Sequence, residues 1–501
     1  MYNYTTLLVF NNHIPEATFL RTRLHRNRYC ELRVGRDSYL DSIRGFLPFL
    51  DTASIYLSEQ PLTTPQSLFE FIKTYVKDIE KLPHTSQIIY YDPRFFPNQP
   101  QQLDTILQKA HYSELPVMFN LKSQEGDSYR LPLVSIAFKD LVQYSESAMD
   151  FRMGRMETIE VTLDNIVLDL MIPSNVLELF ARNFQVRHFN ALTQSGNYFV
   201  KSSTQVEKMA AEYHFFQNLP HQIRPFCPHV GTFEEKEGRA SYQVEKIFIL
   251  DASKGLINDI FSISRMREFF YQIGTFLDTC PKRKVGKDVY KKRMRELFVN
   301  KLASRLHATL ALPELKTMNH ICGLAGYSSI NALHEHLVKH VEASIAADSD
   351  EMFTFSHGDL CLTNILYDPD STQLKLIDPK GGSKDDPHAN WRPIWYDLAK
   401  LSHSFLGWYE LLLYDLVDIN LDNTLAFSIR PQLSNNYLNR IGHEFIQFIR
   451  NRGINLTTLR LYEATLFISM LPLHRDHPKR MIGQLIQCMD ALSFFQQNHY
   501  S

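Results

Sequence analysis

Residues 355–379 read FSHGDLCLTNILYDPDSTQLKLIDP. The stretch enters as a strand, passes through a polar loop bearing His357, Asp359 and Asn364, and leaves as two short apolar strands. Asp and Pro in YDPDST break the pleat and carry the turn between those strands. Asp378 closes the second strand, fourteen residues after Asn364. Such a hairpin brings Asn364 and Asp378 together and lets Asp359 project from the loop. Two oxygen ligands beside a third carboxylate suit a hard cation carrying a polyphosphate, because Mg²⁺ takes one or two protein oxygens and completes its shell with phosphate and water. The remaining carboxylate can accept a proton from an attacking hydroxyl. Any one of these residues is ordinary in a loop. All four, at this spacing on alternating apolar strands, point to a site.

HGDLCLTNIL followed by LKLIDP closely resembles the catalytic and metal-binding motifs of the aminoglycoside phosphotransferase and choline kinase group, within the protein-kinase-like fold. YDLAKL, at Tyr396–Leu401, resembles the helix start that follows the metal-binding acid in that group. The longer pattern HGDLCLTNILYD…LIDPKG…YDLAKLSHSF is also similar to phosphotransferase-type proteins found with bacterial surface-polysaccharide synthesis genes. The likeness runs from Lys201 to Trp408 and fades towards both ends of the chain. It implies ATP and Mg²⁺ as cofactors, Asp359 as the catalytic residue, and Asn364 and Asp378 as the metal ligands.

Upstream, VRHFNALT, the turn QSGN and YFVKSS read as a β-hairpin with Lys201 near its end, and VEKMAAEYHFFQNL reads as an amphipathic helix. The resemblance implies that Lys201 holds the α and β phosphates and that Glu212, eleven residues on, pairs with it; Glu207 is the alternative on the same helix. The bland reading of such a pair is a surface contact worth under ~1 kcal/mol. Ser195, Gly196 and Asn197 would cover the phosphates, and the backbone of Glu245 to Ile247 would receive adenine at a hinge within ASYQVEKIFIL.

With 501 residues, two or three domains are expected. A formal net charge of -2, with 22% charged and 44% hydrophobic residues, gives no footing for a general nucleic-acid or membrane-surface binder. The six cysteines lie far apart without a C-x-x-C pair, which favours a reducing cytoplasm over a disulfide framework. Cys361, inside the loop, reads as a packed thiol. No apolar run reaches the ~18 residues of a membrane span, and the first residues lack the basic and small-residue marks of a secretory signal.

Residues 1–150 alternate strands (TTLLVF, ASIYLS, SQIIYYD, LPVMFNL) with helices (YLDSIRGFL, SLFEFIKTYVKDI, QLDTILQKA), the pattern of an α/β layer with a largely parallel sheet. GRDSYLDSIRGFL resembles an element of sugar nucleotidyltransferases, but the Gly-rich nucleotide loop is missing, so the domain reads as degenerate or partner-binding. Tyr91 and Asp92 mark its expected working edge. Residues 151–183 read as a join, 184–250 as a kinase-like small lobe, and 251–501 as a mainly helical large lobe. The basic run PKRKVGKDVYKKRMR, at Pro281–Arg295, reads as a solvated helix start, with a guide for an anionic acceptor as the alternative and RNA or anionic lipid as the remaining ones.

The fold expected is thus an α/β N-terminal domain followed by an α+β bilobal kinase-like domain. The function expected is γ-phosphoryl transfer from ATP to a hydroxyl of a sugar, polyol or amino alcohol. A nucleotide-binding pseudo-kinase and a bifunctional kinase–nucleotidyltransferase stay open as alternatives; a protein kinase is disfavoured by the lack of an A-P-E-like segment.

Overall fold

A computed structural model describes residues 6–499 except 17, 25, 34–36, 51–52, 63, 78, 84, 123–127, 146–157, 183–189, 196–197, 383–385, 387 and 422–426. The chain divides into two compact units, Met1–Phe184 and Gln185–Ser501.

The first unit is built on a six-stranded sheet in the spatial order Ser54–Ser58, Thr6–Asn11, Gln87–Tyr91, Ser128–Ala137, Val117–Lys122, Ile159–Thr162. Thr6–Asn11 and Gln87–Tyr91 are buried along their whole length, as strands covered on both faces must be. Pairing is parallel from Ser54–Ser58 through Gln87–Tyr91, then antiparallel on both sides of Ser128–Ala137, then parallel again to Ile159–Thr162. The sheet is therefore mixed: the sequence pattern did not disclose Ser128–Ala137, which runs against the other strands. Residues 159–162 add the last strand, and Val167–Asp169 pairs with Phe95–Pro97, so this part of the expected join belongs to the first unit.

Asp92 sits at the carboxyl end of Gln87–Tyr91, accepting from Asn11 Nδ2 at 3.3 Å and from the Arg94 backbone at 2.9 Å. Burial pushes its carboxyl up to about 6 despite these donors. Arg21, on helix Phe19–Leu24, is spent on the Ile14 carbonyl (2.9 Å) and on Glu16.

The second unit begins with a four-stranded antiparallel sheet in the order Val230–Lys236, Arg239–Glu245, Tyr198–Ser203, Asn190–Ser195, with helix Val206–Gln217 beside it. The Val230–Glu245 hairpin turns through Glu237 and Gly238, both at positive φ (53° and 74°), the conformation that a tight two-residue connection demands. The strand ends at Glu245, and Lys246–Leu250 continues outside any strand. The larger lobe is mainly helical, and one hydrophobic core runs from Met209 on the small-lobe helix to Phe495 near the end of the chain. Within the stretch read as mainly helical, Val417–Leu421 pairs with Phe427–Pro431 as a hairpin. Among the described residues no helix is long and apolar enough to cross a membrane.

Much of the basic run is used internally. Arg293 is paired with Asp386 and Glu296, Arg295 with Glu342 and Lys284 with Glu351, while Tyr290 and Met294 are core residues.

Candidate active site

Strands Ile365–Tyr367 and Leu374–Leu376 pair antiparallel in the register Ile365↔Leu376, Leu366↔Lys375, Tyr367↔Leu374. Their turn is organised by Asp368, whose carboxylate accepts from Ser371 Oγ (2.6 Å) and the Asp370 backbone (3.2 Å). One residue beyond the ladder, the Ile377 N–H donates to the Asn364 carbonyl at 3.0 Å, which fixes Asn364 and Asp378 at the same end of the hairpin. Asp378 adopts a left-handed φ of 55°, a conformation that Asp tolerates better than most side chains and that turns it out of the strand. Asn364 donates its amide N–H to the Asp359 carbonyl at 2.9 Å, which leaves its amide oxygen to act as a ligand.

Lys201 lies opposite Tyr242 on the neighbouring strand. Its ammonium group forms an ion pair with Glu212 and a second, at 2.8 Å, with Asp378. Glu212 is 4% exposed and also accepts from the Tyr242 hydroxyl. Burial alone would lower the Lys201 pKa, but the Asp378 and Glu212 carboxylates outweigh it and keep the ammonium charged. Glu207 is exposed on the same helix, so it is Glu212 that the fold brings to Lys201.

Lys201 thereby joins the small-lobe sheet to the hairpin of the large lobe. Gly381 tightens the same junction: a Cβ there would lie 1.8 Å from the Ala211 carbonyl oxygen on the Glu212 helix. The glycine pair of KGG thus has a packing role. Gly381→Ala should destabilise the unit by about 1–3 kcal/mol, the usual range for overpacking, and loosen the Lys201–Glu212 pair. Thermal unfolding checks this, and an unchanged midpoint would refute the close approach.

Asp359 carries the Lys400 ammonium at 2.9 Å, with the carboxylate 37% exposed and the Lys400 side chain only 13% exposed. Burial opposes ionisation of Asp359, yet Lys400 wins and holds the carboxyl far below the ordinary range. The loop is gripped from behind by three side chains. Asp397 accepts from the backbone N–H of His357 (3.0 Å) and of Gly358 (2.7 Å), whose φ of 78° suits glycine. Arg392 donates to the Ser356 and Lys380 carbonyls, and Glu410 accepts from the Leu362 N–H at 3.0 Å. Asp397 braces the loop without capping its own helix, because helix Trp395–Phe405 starts after Ile394 without a side-chain cap.

Lys400, Arg392 and Glu410 were not singled out in the sequence. For Lys400 a signal existed: Asp397 and Lys400 lie three apart on one helix, so they share a face. Burial pushes Glu410 up to about 7 against its hydrogen bonds to Ser404 and Leu362. A buried carboxyl whose folded pKa exceeds its unfolded value near ~4.3 costs stability as pH rises between the two values. Glu410→Gln should therefore flatten the stability–pH curve between about pH 4.5 and 7 relative to the parent. Denaturant titrations across that window would check it, and parallel curves would refute it.

The remaining sequence candidates are placed as follows. Ser195 pairs with Tyr198 through its backbone across the turn, while its side chain and Gly196 fall outside what is described. The Glu245 side chain accepts from the His229 N–H at 2.9 Å, so it ties down the strand end; Ile247 is half-buried in the connection that follows. Cys361 is a buried thiol beside Thr363, pushed up by burial and so unlike a nucleophile.

Among the described residues no three or more His, Cys, Asp or Glu side chains converge as a metal cage. One carboxylate, Asp378 at 51% exposure, and one amide oxygen, from Asn364, do fit an ion that takes most of its ligands from phosphates and water.

Residues 271–379 match the ecdysteroid kinase-like family, and the match ends one residue beyond Asp378. No curated protein matches the chain. Among solved structures, the chain is distantly similar to a glucosamine kinase (10% identity, 76% of this chain and 93% of that one, TM-score 0.38). It is also similar to an aminoglycoside-3'-phosphotransferase of type VIII (15%, 56% and 88%, TM-score 0.33) and to choline kinase from Cryptosporidium parvum Iowa II (11%, 65% and 96%, TM-score 0.32). The two lobes and the Lys201–Glu212–Asp378 junction define the second unit as kinase-like in fold. The family match falls within its larger lobe.

Proposed function

We propose that the second unit transfers the γ-phosphoryl group of ATP to a hydroxyl of a small-molecule acceptor. The observation that carries the reading is Lys201, which touches Glu212 and Asp378 at once and so aligns a phosphate-binding cation with the Asn364–Asp378 hairpin. Lys201 holds the α and β phosphates. Asn364 and Asp378 hold Mg²⁺, which when bound neutralises charge on the phosphate oxygens. Asp359 orients the attacking hydroxyl. An acid kept so strongly ionised by Lys400 is a weak base near neutral pH, so positioning outweighs proton abstraction in its contribution. Lys201→Met should weaken Mg·ATP binding by about tenfold or more, since it removes a charge-assisted contact. Calorimetric titration tests this, and equal affinities would overturn the assignment.

For the first unit the proposal is narrower: it binds the acceptor or a partner and performs no nucleotidyl transfer. Its first loop, FNNHIPEATFLRTR, carries no glycine where a backbone would have to approach a triphosphate closely. Release of pyrophosphate by the full chain from a nucleoside triphosphate and a sugar phosphate would contradict this.

A further inference from the structure

Tyr396, one residue before the bracing Asp397, is 1% exposed and lies among three lysines from three segments. Lys301 Nζ is 3.5 Å from its hydroxyl, Lys380 Nζ lies 5.6 Å from its ring centroid, and Lys400 follows one helical turn later. The helix that delivers Lys301 is not regular. It widens into a π-turn at Glu296–Asn300 immediately before that lysine, and the turn seats Phe298 against the Tyr396 ring. Such bulges recur at functional sites because they re-aim the residues that follow.

Like charges gathered in a partly desolvated place repel, and an anion placed among them relieves that repulsion. Among the described residues, Asp359 is the only carboxylate within 4 Å of these three ammonium groups, through Lys400. Beside Asp359, the acidic group among the three lysines is the Tyr396 phenol, so positive charge is in excess. The neighbours register it. Tyr396 raises the Lys301 pKa, but burial with Lys380 and Lys400 outweighs that and lowers it; burial would raise the Tyr396 phenol, but the lysines bring it down to about 7.

We propose that the acceptor is a phosphomonoester of an alcohol or sugar, whose dianionic phosphate is held by Lys301, Lys380 and Lys400 around Tyr396, with its free hydroxyl presented to Asp359. This rests on the phosphotransferase reading and selects within it, since the same lysines repel an amino alcohol. In the transfer the acceptor oxygen bonds to the γ-phosphorus. The bond from that phosphorus to the β,γ-bridging oxygen breaks, ADP leaves with the electron pair, and the hydroxyl proton passes by Asp359 to solvent. The product carries two phosphates.

The test uses the full chain with inorganic phosphate as probe, followed by titration calorimetry at low salt. The parent protein should bind phosphate saturably, and Lys301→Met and Lys380→Met should each weaken that binding by about tenfold, as loss of a charge-assisted contact does. Lys380 is exposed, so its variant is expected to fold even where Lys301→Met does not. Glycerol 3-phosphate should compete with inorganic phosphate, and glycerol should not. Absence of saturable binding, or affinities within twofold in both variants, would overturn the proposal. Mg·ATP titrated into the same samples separates the two claims. Lysine-dependent phosphate binding without Mg·ATP binding would sink the phosphotransferase reading and spare the anion site.

Discussion

Asp359→Asn should lower phosphoryl transfer by at least ~10²-fold, the usual worth of a positioned acid–base group, and leave Mg·ATP affinity within about twofold. The carboxylate contacts Lys400 on the helical side, whereas the proposed nucleotide side is formed by Lys201, Asn364 and Asp378. The substitution also breaks the Lys400 pair. Asp359 is 37% exposed and Asn keeps an oxygen that can accept from Lys400, so the variant is expected to remain folded for assay. A pH corollary follows from the depressed Asp359 pKa. Its contribution to stability is present above the unfolded value near ~4 and is lost only as pH falls through the much lower folded value. Any titration seen in the rate between about pH 5 and 9 must therefore belong to other groups, with Tyr396 and Glu410 the nearest candidates. Turnover within threefold of the parent would remove Asp359 from the mechanism.

Asp378→Ala should abolish the Mg²⁺ dependence of nucleotide binding, because it takes away the single carboxylate offered to the ion. Lys201 keeps its Glu212 partner and stays charged, so residual metal-free ATP binding is expected. The left-handed backbone at position 378 adds a second effect, since Ala bears a φ near 55° less readily than Asp. Asp378→Asn separates the two, keeping the local conformation while removing the charge. Titrations with and without Mg²⁺ should show Asp378→Asn and Asp378→Ala equally insensitive to the metal. A retained metal response in both would move the ion elsewhere.

What the sequence disclosed, and what it did not, follows from the range of the interactions involved. The Phe355–Pro379 hairpin was readable because its strands alternate, its turn residues break the pleat, and its polar residues are local. Lys201 and helix Val206–Gln217 were readable for the same reason. The loop's supports were not: Glu410 reaches Leu362 across 48 residues, and Arg392 reaches Ser356 across 36. No local pattern records that convergence. Strand Ser128–Ala137 was missed because an antiparallel strand within an otherwise parallel α/β pattern does not alter the alternation of strand and helix. The Val417–Pro431 hairpin was missed because LVDINL and LAFSIRP are short apolar runs, which helices and strands share. The lysines around Tyr396 come from positions 301, 380 and 400, so only the fold makes them one group.

The most direct measurement is acceptor-dependent ATP consumption by the full chain across sugars, polyols, amino alcohols, antibiotics and their phosphate esters, with ³¹P detection of the phosphorylated product. The account predicts Mg²⁺-dependent turnover on at least one acceptor, strongest among the phosphate esters, that Asp359→Asn reduces by ~10²-fold or more. Mg·ATP binding with no acceptor-dependent consumption, alike in the parent and in Asp359→Asn, would contradict it.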